Sequence, residues 1–599
     1  MASRSDRVKE YRDRIDALLK EAEELKAGDG KFSAIRVITF IAAGMTLAYA
    51  LLDGSISPWW ALLPGACFAA AVAVHERKIL ISKKAERRVL FYENGIKRIE
   101  GDWHGNGVYG ENFKDKDHLY SDDLNLFGEA SLFQKLCRCS TAFGRERLSN
   151  WIKKPAEIES IKKRQEALRE LSEYEDIRNA YAELDDEEGK HLAIDTFKSW
   201  ALADSNLYNP LLSFFSLFLG LLTVGSLLGW LFSDLSPWMF ITTLALDLVI
   251  VKSYSERIGA ITEGISSKEK NLMQLSHVLE IIEGKEYKSE LMKSICDKLK
   301  TEGVTASERI RQIAYLINSF ENARSNMALQ PFNIMLHVNL RNAMRIERWR
   351  KIAGQSIPDW VDVAADFEAL FSLSVFHHEN PDYIFPGFSE QGPLVTASQL
   401  GHPLLKPADC VRNDVELGEK TKLVLISGSN MAGKSTFLRT VGINIVLAQA
   451  GAPVCAEKLK LSRLSIGCSI QIEDNMSKGI SHFYAEILRL KKLVDLASES
   501  KLPVIFFFDE ILHGTNSSDR CNGASAVIKN LVKTGAVGFV TTHDLSLAAI
   551  VDDLEGEAVN AHFEDQFENG KMTFDYKMKE GVVTRGNALQ LMRSLGLDV

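Results

Sequence analysis

The segment Lys422–Ser435, which reads KLVLISGSNMAGKS, carries most of what can be inferred about this chain of 599 residues. Its first part, Lys422–Ser427, is a short apolar run typical of a buried strand. Gly428–Ser435 then fits the pattern GxxxxGK[ST], and Ser435–Ala450 has helical patterning. A strand, a glycine loop and a helix in this order are the context that supports a P-loop, so the sequence predicts an α/β domain that binds ATP and Mg²⁺.

Each residue type in this loop suits the binding of a nucleotide. Backbone N–H groups of the loop would surround the phosphates, and the helix N-terminus behind them adds partial positive charge. Lys434 would reach the β and γ phosphates, and Ser435 would ligate Mg²⁺. The residues predicted to hold the nucleotide are Gly428, Ser429, Asn430, Met431, Ala432, Gly433, Lys434, Ser435 and Thr436.

Two further apolar runs end in residues that suit phosphate chemistry. Val504–Glu510 reads VIFFFDE, which is typical of a buried parallel strand. It would deliver Asp509 to the Mg²⁺ shell and Glu510 toward the attacking water as general base. A third strand, Ala536–Thr542, ends at His543, which would contact the γ-phosphate or order the water. The alternatives are an acidic turn after a structural strand and a structural histidine. The predicted catalytic residues are Glu510, His543 and Lys434.

Four apolar stretches predict two membrane hairpins, because about 20 apolar residues span a bilayer core. They are Ile35–Leu52, Pro58–Val74, Leu211–Phe232 and Pro237–Val251. The alternative is a set of buried core helices, but such helices normally show a polar stripe and these show almost none. Asp247 is an acid inside the fourth stretch, where we expect either a functional group or a hydrogen bond between helices.

The lysines and arginines that flank these stretches predict their orientation. The turns inside the two pairs carry none, whereas basic residues flank the pairs at Arg4–Arg14, Arg77–Arg88 and Lys252–Arg257. The positive-inside rule then places both termini and the middle segment in the cytoplasm. The sequence therefore predicts a multi-pass protein of the inner or plasma membrane with its ATPase domain in the cytoplasm.

Composition limits the other possibilities. The net charge of −9 argues against a generally basic nucleic-acid binder, although it leaves room for a local basic surface. The eight cysteines contain no CxxC pair, which predicts reduced thiols instead of zinc ligands or disulfides. Asn339–Lys351 (NLRNAMRIERWRK) is locally basic, and it is either a solvated helix face or a surface that contacts phosphates.

Several of these motifs resemble those of the MutS family of ATPases. Ser427–Arg439 resembles the nucleotide loop of that family, and Asp509–Asn516 is similar to its DEIGRGTS element. Thr541–His543 resembles its ATH element. Gly479–Phe483, together with Glu486, resembles its signature loop. By this resemblance Ser481 would be presented to the nucleotide of a partner subunit, so the ATP sites would be composite and the protein a homodimer.

The resemblance extends upstream and also breaks down in places. The stretches similar to the core domain and to the approach to the ATPase are Asp123–Phe133, Thr141–Pro155, Ile161–Leu168, Asp366–Leu370 and His402–Leu405. His513 stands where the family usually has arginine, so a positive contact there is in doubt. Membrane helices occupy the front of the chain in place of a mismatch-reading domain. The second hairpin falls where the family inserts its lever and DNA clamp, which suggests that an anchor has displaced part of the DNA-gripping apparatus.

The resulting fold prediction is an α/β P-loop ATPase domain of the ABC/MutS-like kind, all-α core and lever helices, and two transmembrane helical hairpins. It describes a membrane-anchored variant that lacks the N-terminal mismatch-recognition domain. The predicted segments are an N-terminal helix (1–31), hairpin 1 (32–78), a core segment (79–205), hairpin 2 (206–254), a helical lever or connector (255–395) and the ATPase domain (396–599).

The predicted function is hydrolysis of ATP with Mg²⁺ in a dimeric composite site. Binding of mismatched or branched DNA is implied by the resemblance alone. A first alternative is a membrane ATPase, or a nucleotide switch with negligible turnover, that acts on a partner other than DNA. A second is a transporter, which the tight hairpins and the few spanning segments disfavour.

Overall fold

The computed structural model describes residues 3–26, 29–52, 57–184, 194–203, 207–263, 265, 268–300, 303–327, 330–429, 431–470, 482–512, 516–568 and 571–583. These residues form a mostly helical molecule with two β-sheets near the C-terminal end of the chain. The fold class is therefore mixed, with the sheets restricted to residues beyond Gly387.

The helices before the first strand are α1 Arg4–Lys26, α2 Asp29–Leu52, α3 Leu62–Glu100, α4 Leu132–Leu136, α5 Ala142–Lys153, α6 Ile158–Glu173, α7 Glu175–Ala182, α8 Ile194–Leu202, α9 Pro210–Phe232, α10 Pro237–Thr262, α11 Glu269–Glu283, α12 Glu290–Asp297, α13 Ala306–Ser325, α14 Gln330–Leu336, α15 Val338–Ala353 and α16 Ile357–Glu379. The helices that follow are α17 Lys434–Ala450, α18 His482–Glu499, α19 Ser517–Lys533 and α20 Ile550–Asp553.

The strands are β1 Gly387–Ser389, β2 Val395–Leu400, β3 Asn413–Leu417, β4 Leu423–Ser427, β5 Lys458–Ser462, β6 Ser465–Ser469, β7 Val504–Asp509, β8 Val537–Thr542, β9 Ala558–Glu568 and β10 Lys571–Glu580. The larger sheet has the order β10-β9-β4-β8-β7-β6, and all its neighbours are parallel except the antiparallel pair β9 and β10. The smaller sheet has the order β1-β5-β2-β3. Parallel pairing brings the carboxyl ends of β4, β7 and β8 to one edge of the larger sheet, where ligands bind in open α/β sheets.

Burial on both faces explains the apolar composition of these central strands. Every residue of β4 is buried, and in β7 only the terminal Asp509 is not. Helix α17 covers the sheet with a surface that is buried almost throughout. The strands predicted around Lys422, Val504 and Ala536 are thus β4, β7 and β8, each within one residue of the predicted start.

A buried carboxylate, Glu368, joins separate helices of the helical region through hydrogen bonds. Glu368 of α16 accepts hydrogen bonds from the Ser140 backbone N–H at 2.9 Å and hydroxyl at 2.7 Å. The Thr141 and Tyr181 hydroxyls also donate to it. A Cβ on Gly144 would lie 2.1 Å from this carboxylate, so only glycine fits there. The two stretches Thr141–Pro155 and Asp366–Leu370, far apart in the sequence, therefore meet at the N-terminus of α5.

Within the described ranges, four helices are long and apolar enough to cross a membrane by length and composition: 34–52, 59–100, 210–232 and 237–262. They form the pairs α2–α3 and α9–α10, here called hairpin 1 and hairpin 2. Helix α3 continues without a break to Glu100, well beyond the predicted end of hairpin 1 at residue 78. Helix α10 likewise continues to Thr262, and the β-structure starts at Gly387, before the predicted domain boundary at 396.

Candidate active site

The glycine loop lies between β4 and α17 and has a backbone that ordinary residues rarely adopt. Gly428 has φ +146°, and a Cβ there would lie 2.6 Å from the Phe563 carbonyl oxygen. Gly433 has φ +98°, and Met431 is a non-glycine residue with φ +79°. Positive φ at a non-glycine residue is strained and concentrates at ligand sites. Of the predicted nucleotide-binding residues, Asn430 lies outside the described part of the chain.

Lys434 is the buried cation of the site. Its ammonium donates hydrogen bonds to the carbonyl oxygens of Gly428 at 2.8 Å and Ser429 at 3.0 Å. It also lies 3.3 Å from a carboxylate oxygen of Glu510. The loop thus folds around the lysine that follows it, and an anionic group entering the loop would compete with these carbonyl oxygens for the ammonium.

The acidic residues at the end of β7, Asp509 and Glu510, have different contacts. Asp509 accepts a hydrogen bond from the Thr541 hydroxyl on the neighbouring strand β8. Glu510 has φ +50°, and its backbone N–H donates to the Thr541 carbonyl oxygen at 3.1 Å. His543 lies behind it, with Nδ1 3.3 Å from Glu510 Oε2. His543 therefore contacts the site through Glu510, a role between the predicted phosphate contact and a purely structural one.

Lys434, Asp509 and Glu510 line a cavity of about 580 Å³. The predicted site residues that line it are Ser429, Met431, Gly433, Lys434, Ser435, Thr436, Asp509 and Glu510. Ala432 is buried behind the loop. The size suits a nucleotide-sized ligand, since pockets for small molecules are typically about 300–1,000 Å³.

Two lining residues, Tyr576 and His402, were not predicted from the sequence. Tyr576 of β10 is half-exposed, has φ +52° and stacks on Phe574 with ring centroids 5.9 Å apart. Tyr576 offers a flat apolar surface beside Gly433. His402 is buried, and burial, together with nearby Lys135 and Arg439, lowers its pKa to about 4. His402 is therefore neutral at physiological pH. His402 begins the stretch His402–Leu405, which resembles the approach to the ATPase but assigned it no role at the site, and Tyr576 stands in no motif. The loop after β2 brings His402 here, and the pairing of β9 with β10 brings Tyr576.

The residues present fit a nucleotide with its metal ion. The Ser429 hydroxyl is buried and has no hydrogen-bond partner among the described residues, so it is available to a ligand. Ser435 and Asp509, the predicted Mg²⁺ ligands, line the same cavity. A hydroxyl and a carboxylate are oxygen donors of the kind that Mg²⁺ prefers, and Mg²⁺ commonly completes its shell with phosphate oxygens and water.

A network on the far side joins the site to the helical region. Asp123 is buried and accepts from Arg489 of α18 at 2.7 Å and from the Ile470 N–H at 2.7 Å. The Arg439 guanidinium of α17 donates to the Asp123 carbonyl oxygen at 2.9 Å. Ser481 and His513 lie outside the described residues. Ile470, which Asp123 binds, is the last described residue before the segment 471–481 that contains Ser481.

Comparisons with known proteins agree with this arrangement. Residues 424–598 match MutS domain V and residues 115–212 match MutS domain III. The chain is 32% identical over 247 residues to the DNA mismatch repair protein MSH3 of Phaeosphaeria nodorum, covering 40% of this chain and 22% of that protein. It is 27% identical over 306 residues to endonuclease MutS2 of Thermus thermophilus, covering 50% of this chain and 39% of that protein.

A third relative is the DNA mismatch repair protein MutS of Streptococcus uberis, 25% identical over 292 residues, covering 48% of this chain and 33% of that protein. The chain thus spans well under half the length of each of these three relatives. The two domain matches and these relatives together support the MutS family for this chain.

Proposed function

We propose that this chain is a membrane-anchored ATPase of the MutS kind, which binds and hydrolyses ATP with Mg²⁺. The observation that carries the proposal is the cavity in which Lys434, Ser435, Asp509 and Glu510 converge at the carboxyl ends of β4 and β7. Side chains of this chemistry, on a glycine loop that opens a helix, are the arrangement used for phosphoryl transfer.

The residues divide the work by charge and position. The loop N–H groups and Lys434 bind the phosphates and stabilise charge that develops during transfer. Ser435 and Asp509 would hold Mg²⁺, which would supply positive charge to the phosphate oxygens. Glu510 accepts a proton from the attacking water as general base, and His543 orients the Glu510 carboxylate from behind. Tyr576 provides a surface on which the flat base of the nucleotide can stack.

We further propose that the ATP sites are composite and that the active form is a homodimer in which Ser481 of one subunit faces the nucleotide of the other. Support comes from the match to MutS domain V and from Asp123, whose contacts with α17, α18 and Ile470 link the helical region to the segment containing Ser481. Nucleotide binding at the subunit interface would then be coupled to the positions of the helices.

DNA is the partner that the relatives favour, since two of the three are named as DNA mismatch repair proteins. We propose binding of mismatched or branched duplex, coupled to the nucleotide state. A partner other than DNA is the second candidate. It is favoured by the described residues between α10 and β1, which form helices packed on one another and on hairpin 2, and by the net charge of −9.

The test uses full-length protein solubilised in detergent. ATP turnover is measured with and without Mg²⁺, and binding to homoduplex, mismatched and branched DNA is measured with and without ATP over a salt series. We expect Mg²⁺-dependent turnover and salt-dependent DNA binding that ATP modulates. Turnover without binding to any duplex would select the second candidate, and absence of Mg²⁺-dependent turnover would contradict the ATPase proposal.

A further inference from the structure

Helices α13, α14 and α15 form an arm. The described residues at the end of the arm nearest hairpin 2, Asn326–Met327 and Gln330–His337, are here called the tip. The tip packs directly on hairpin 2. A Cβ on Gly220 of α9 would lie 2.6 Å from the Met335 carbonyl oxygen, so glycine is required for this close approach. His337 Nδ1 lies 3.1 Å from the Ser216 carbonyl oxygen. The tip therefore reaches the middle of α9, and its contact with hairpin 2 is not confined to the end of that helix.

A polar cluster is sealed between the tip and the hairpin. The Thr223 hydroxyl donates to Asp247 Oδ2 at 2.8 Å, and His337 Nε2 lies 3.3 Å from Asp247 Oδ1. The side chains of both Asp247 and His337 are 0% exposed. An acid on a lipid-facing hairpin is costly unless protein covers and pairs it. The arm covers the acid and places His337 beside it, so the tip must lie at the depth of Asp247 or close to it.

The helix lengths give that depth. At about 1.5 Å per residue, Gly220 lies about 18 Å and Ser216 about 24 Å from the outer end of α9 at Phe232. A hydrocarbon core is about 30 Å thick, so both contact points fall inside the cytoplasmic leaflet if α9 spans the bilayer. The base of the arm is outside it, because Glu347 accepts the N–H groups of Leu207 and Tyr208, which precede α9.

The exposed side chains of the arm change from apolar at the tip to basic toward the base. Met327 and Phe332 at the tip are exposed apolar side chains, as are Phe215 and Phe218 on α9 of hairpin 2. The exposed basic residues Arg345 and Arg348 lie toward the base. Apolar groups at acyl depth with arginines near the headgroups are the pattern of an interfacial membrane element.

We propose that the tip is inserted into the cytoplasmic leaflet of the bilayer as a third membrane-contacting element, held on hairpin 2 through Gly220 and the Asp247–His337–Thr223 cluster. The occupant of its exposed apolar face is lipid acyl chain. This inference rests on the proposed anchoring of hairpin 2 in a membrane. It makes the arm a direct connection between the bilayer and α16, the helix that follows it.

The experiment replaces single residues with the photocrosslinking residue p-benzoylphenylalanine in full-length protein, reconstituted in dioleoylphosphatidylcholine nanodiscs. Three positions have matched exposure: Phe332 on the tip at 58%, Phe218 on α9 at 56% and Tyr315 toward the base of the arm at 59%. Met327 is a second tip position. After irradiation, the mass of the protein reports the addition of one lipid.

We expect lipid adducts at Phe332, Met327 and Phe218, and at least tenfold less adduct at Tyr315. Adducts at Phe218 without adducts at Phe332 and Met327 would overturn the inference and leave the anchoring intact. Absence of adducts at Phe218 would overturn the anchoring itself. Crosslinks from the tip positions to a second copy of the chain, in place of lipid, would show a protein interface there and also overturn the inference.

Discussion

Two acid–histidine pairs in this molecule have the same separation and opposite surroundings. Glu510 and His543 are 3.3 Å apart beside the nucleotide cavity, with side chains 20% and 45% exposed. Asp247 and His337 are also 3.3 Å apart, but both side chains are enclosed completely. The surroundings of such a pair therefore decide what it does. The open pair can exchange protons with a bound water, whereas the closed pair can only hold two elements together.

We expect the greatest loss of ATP turnover from substitution of Glu510, the acid of the open pair. Glu510→Gln keeps the shape and removes the basic oxygen, so we expect ATP turnover to fall by about 10²–10⁴-fold. ATP binding, measured by fluorescence of a labelled nucleotide, should be retained. The matched control is Glu499→Gln, an exposed acid on α18, which should turn over ATP like the parent. Equal rates for both variants would remove Glu510 from its assigned role.

The acid of the closed pair should affect stability instead of chemistry. Asp247→Ala leaves the His337 imidazole buried without its partner, so we expect a loss of about 1–3 kcal/mol of unfolding free energy. The measurement is thermal unfolding of the solubilised protein. Replacing both residues, Asp247→Leu with His337→Leu, should recover most of the loss because no buried polar group is then unpaired. A drop in turnover per folded molecule without a change in stability would contradict the distinction between the two pairs.

The histidine of the open pair should matter less than its acid. His543→Ala removes the group behind Glu510 but leaves the carboxylate in the cavity, and we expect kcat to fall about tenfold, or about 1.4 kcal/mol. KM should change little, because His543 does not line the cavity. A large rise in KM with unchanged kcat would instead indicate direct contact with the nucleotide.

A third histidine, His402, is buried beside the cavity and makes stability depend on pH. Burial lowers its pKa to about 4, so between that value and the ordinary value near 6.5 the unfolded chain binds more protons than the folded one. Stability from His402 is therefore present at pH 7 and falls on acidification, by about 0.7 kcal/mol from pH 7 to pH 6. Thermal unfolding of the parent and of His402→Gln at the two pH values measures it. The variant should lose less stability than the parent.

The parts of the site that the sequence could predict are local in the chain. The glycine loop and the ends of β7 and β8 can each be predicted from a segment of about ten residues, because buried strands require apolar runs and phosphate-binding loops require glycine. Tyr576, His402 and Asp123 could not be predicted in the same way. They reach the site through strand pairing or through contacts with helices hundreds of residues away. Asp123 and His402 begin stretches that resemble the MutS family, but neither stretch indicated a place at the site, and Tyr576 stands in no recognisable pattern.

In the fold, too, features set by local sequence could be predicted, and features set by distant contacts could not. Apolar length revealed four candidate spanning helices, but it could not show that α3 continues to Glu100. After Val74 the polar residues of α3 are those of a surface helix, and its continuity is fixed by α1. Tyr11 contacts Tyr92 with ring centroids 4.9 Å apart, and a Cβ on Gly95 would lie 2.4 Å from the Tyr11 ring. Burial of Asp247 likewise depends on the tip, which is ninety residues further along the chain.

The unbroken helix α3 would also affect how two copies of the chain meet in one membrane. Its 39 residues measure about 58 Å, of which about 30 Å would cross the bilayer. The remainder would hold the nucleotide domain at a nearly constant height above the membrane. Copies in one membrane would then search for each other in a plane, at matched height and with limited tilt. Such confinement raises their effective concentration without any added contact, so even a weak interface could pair them.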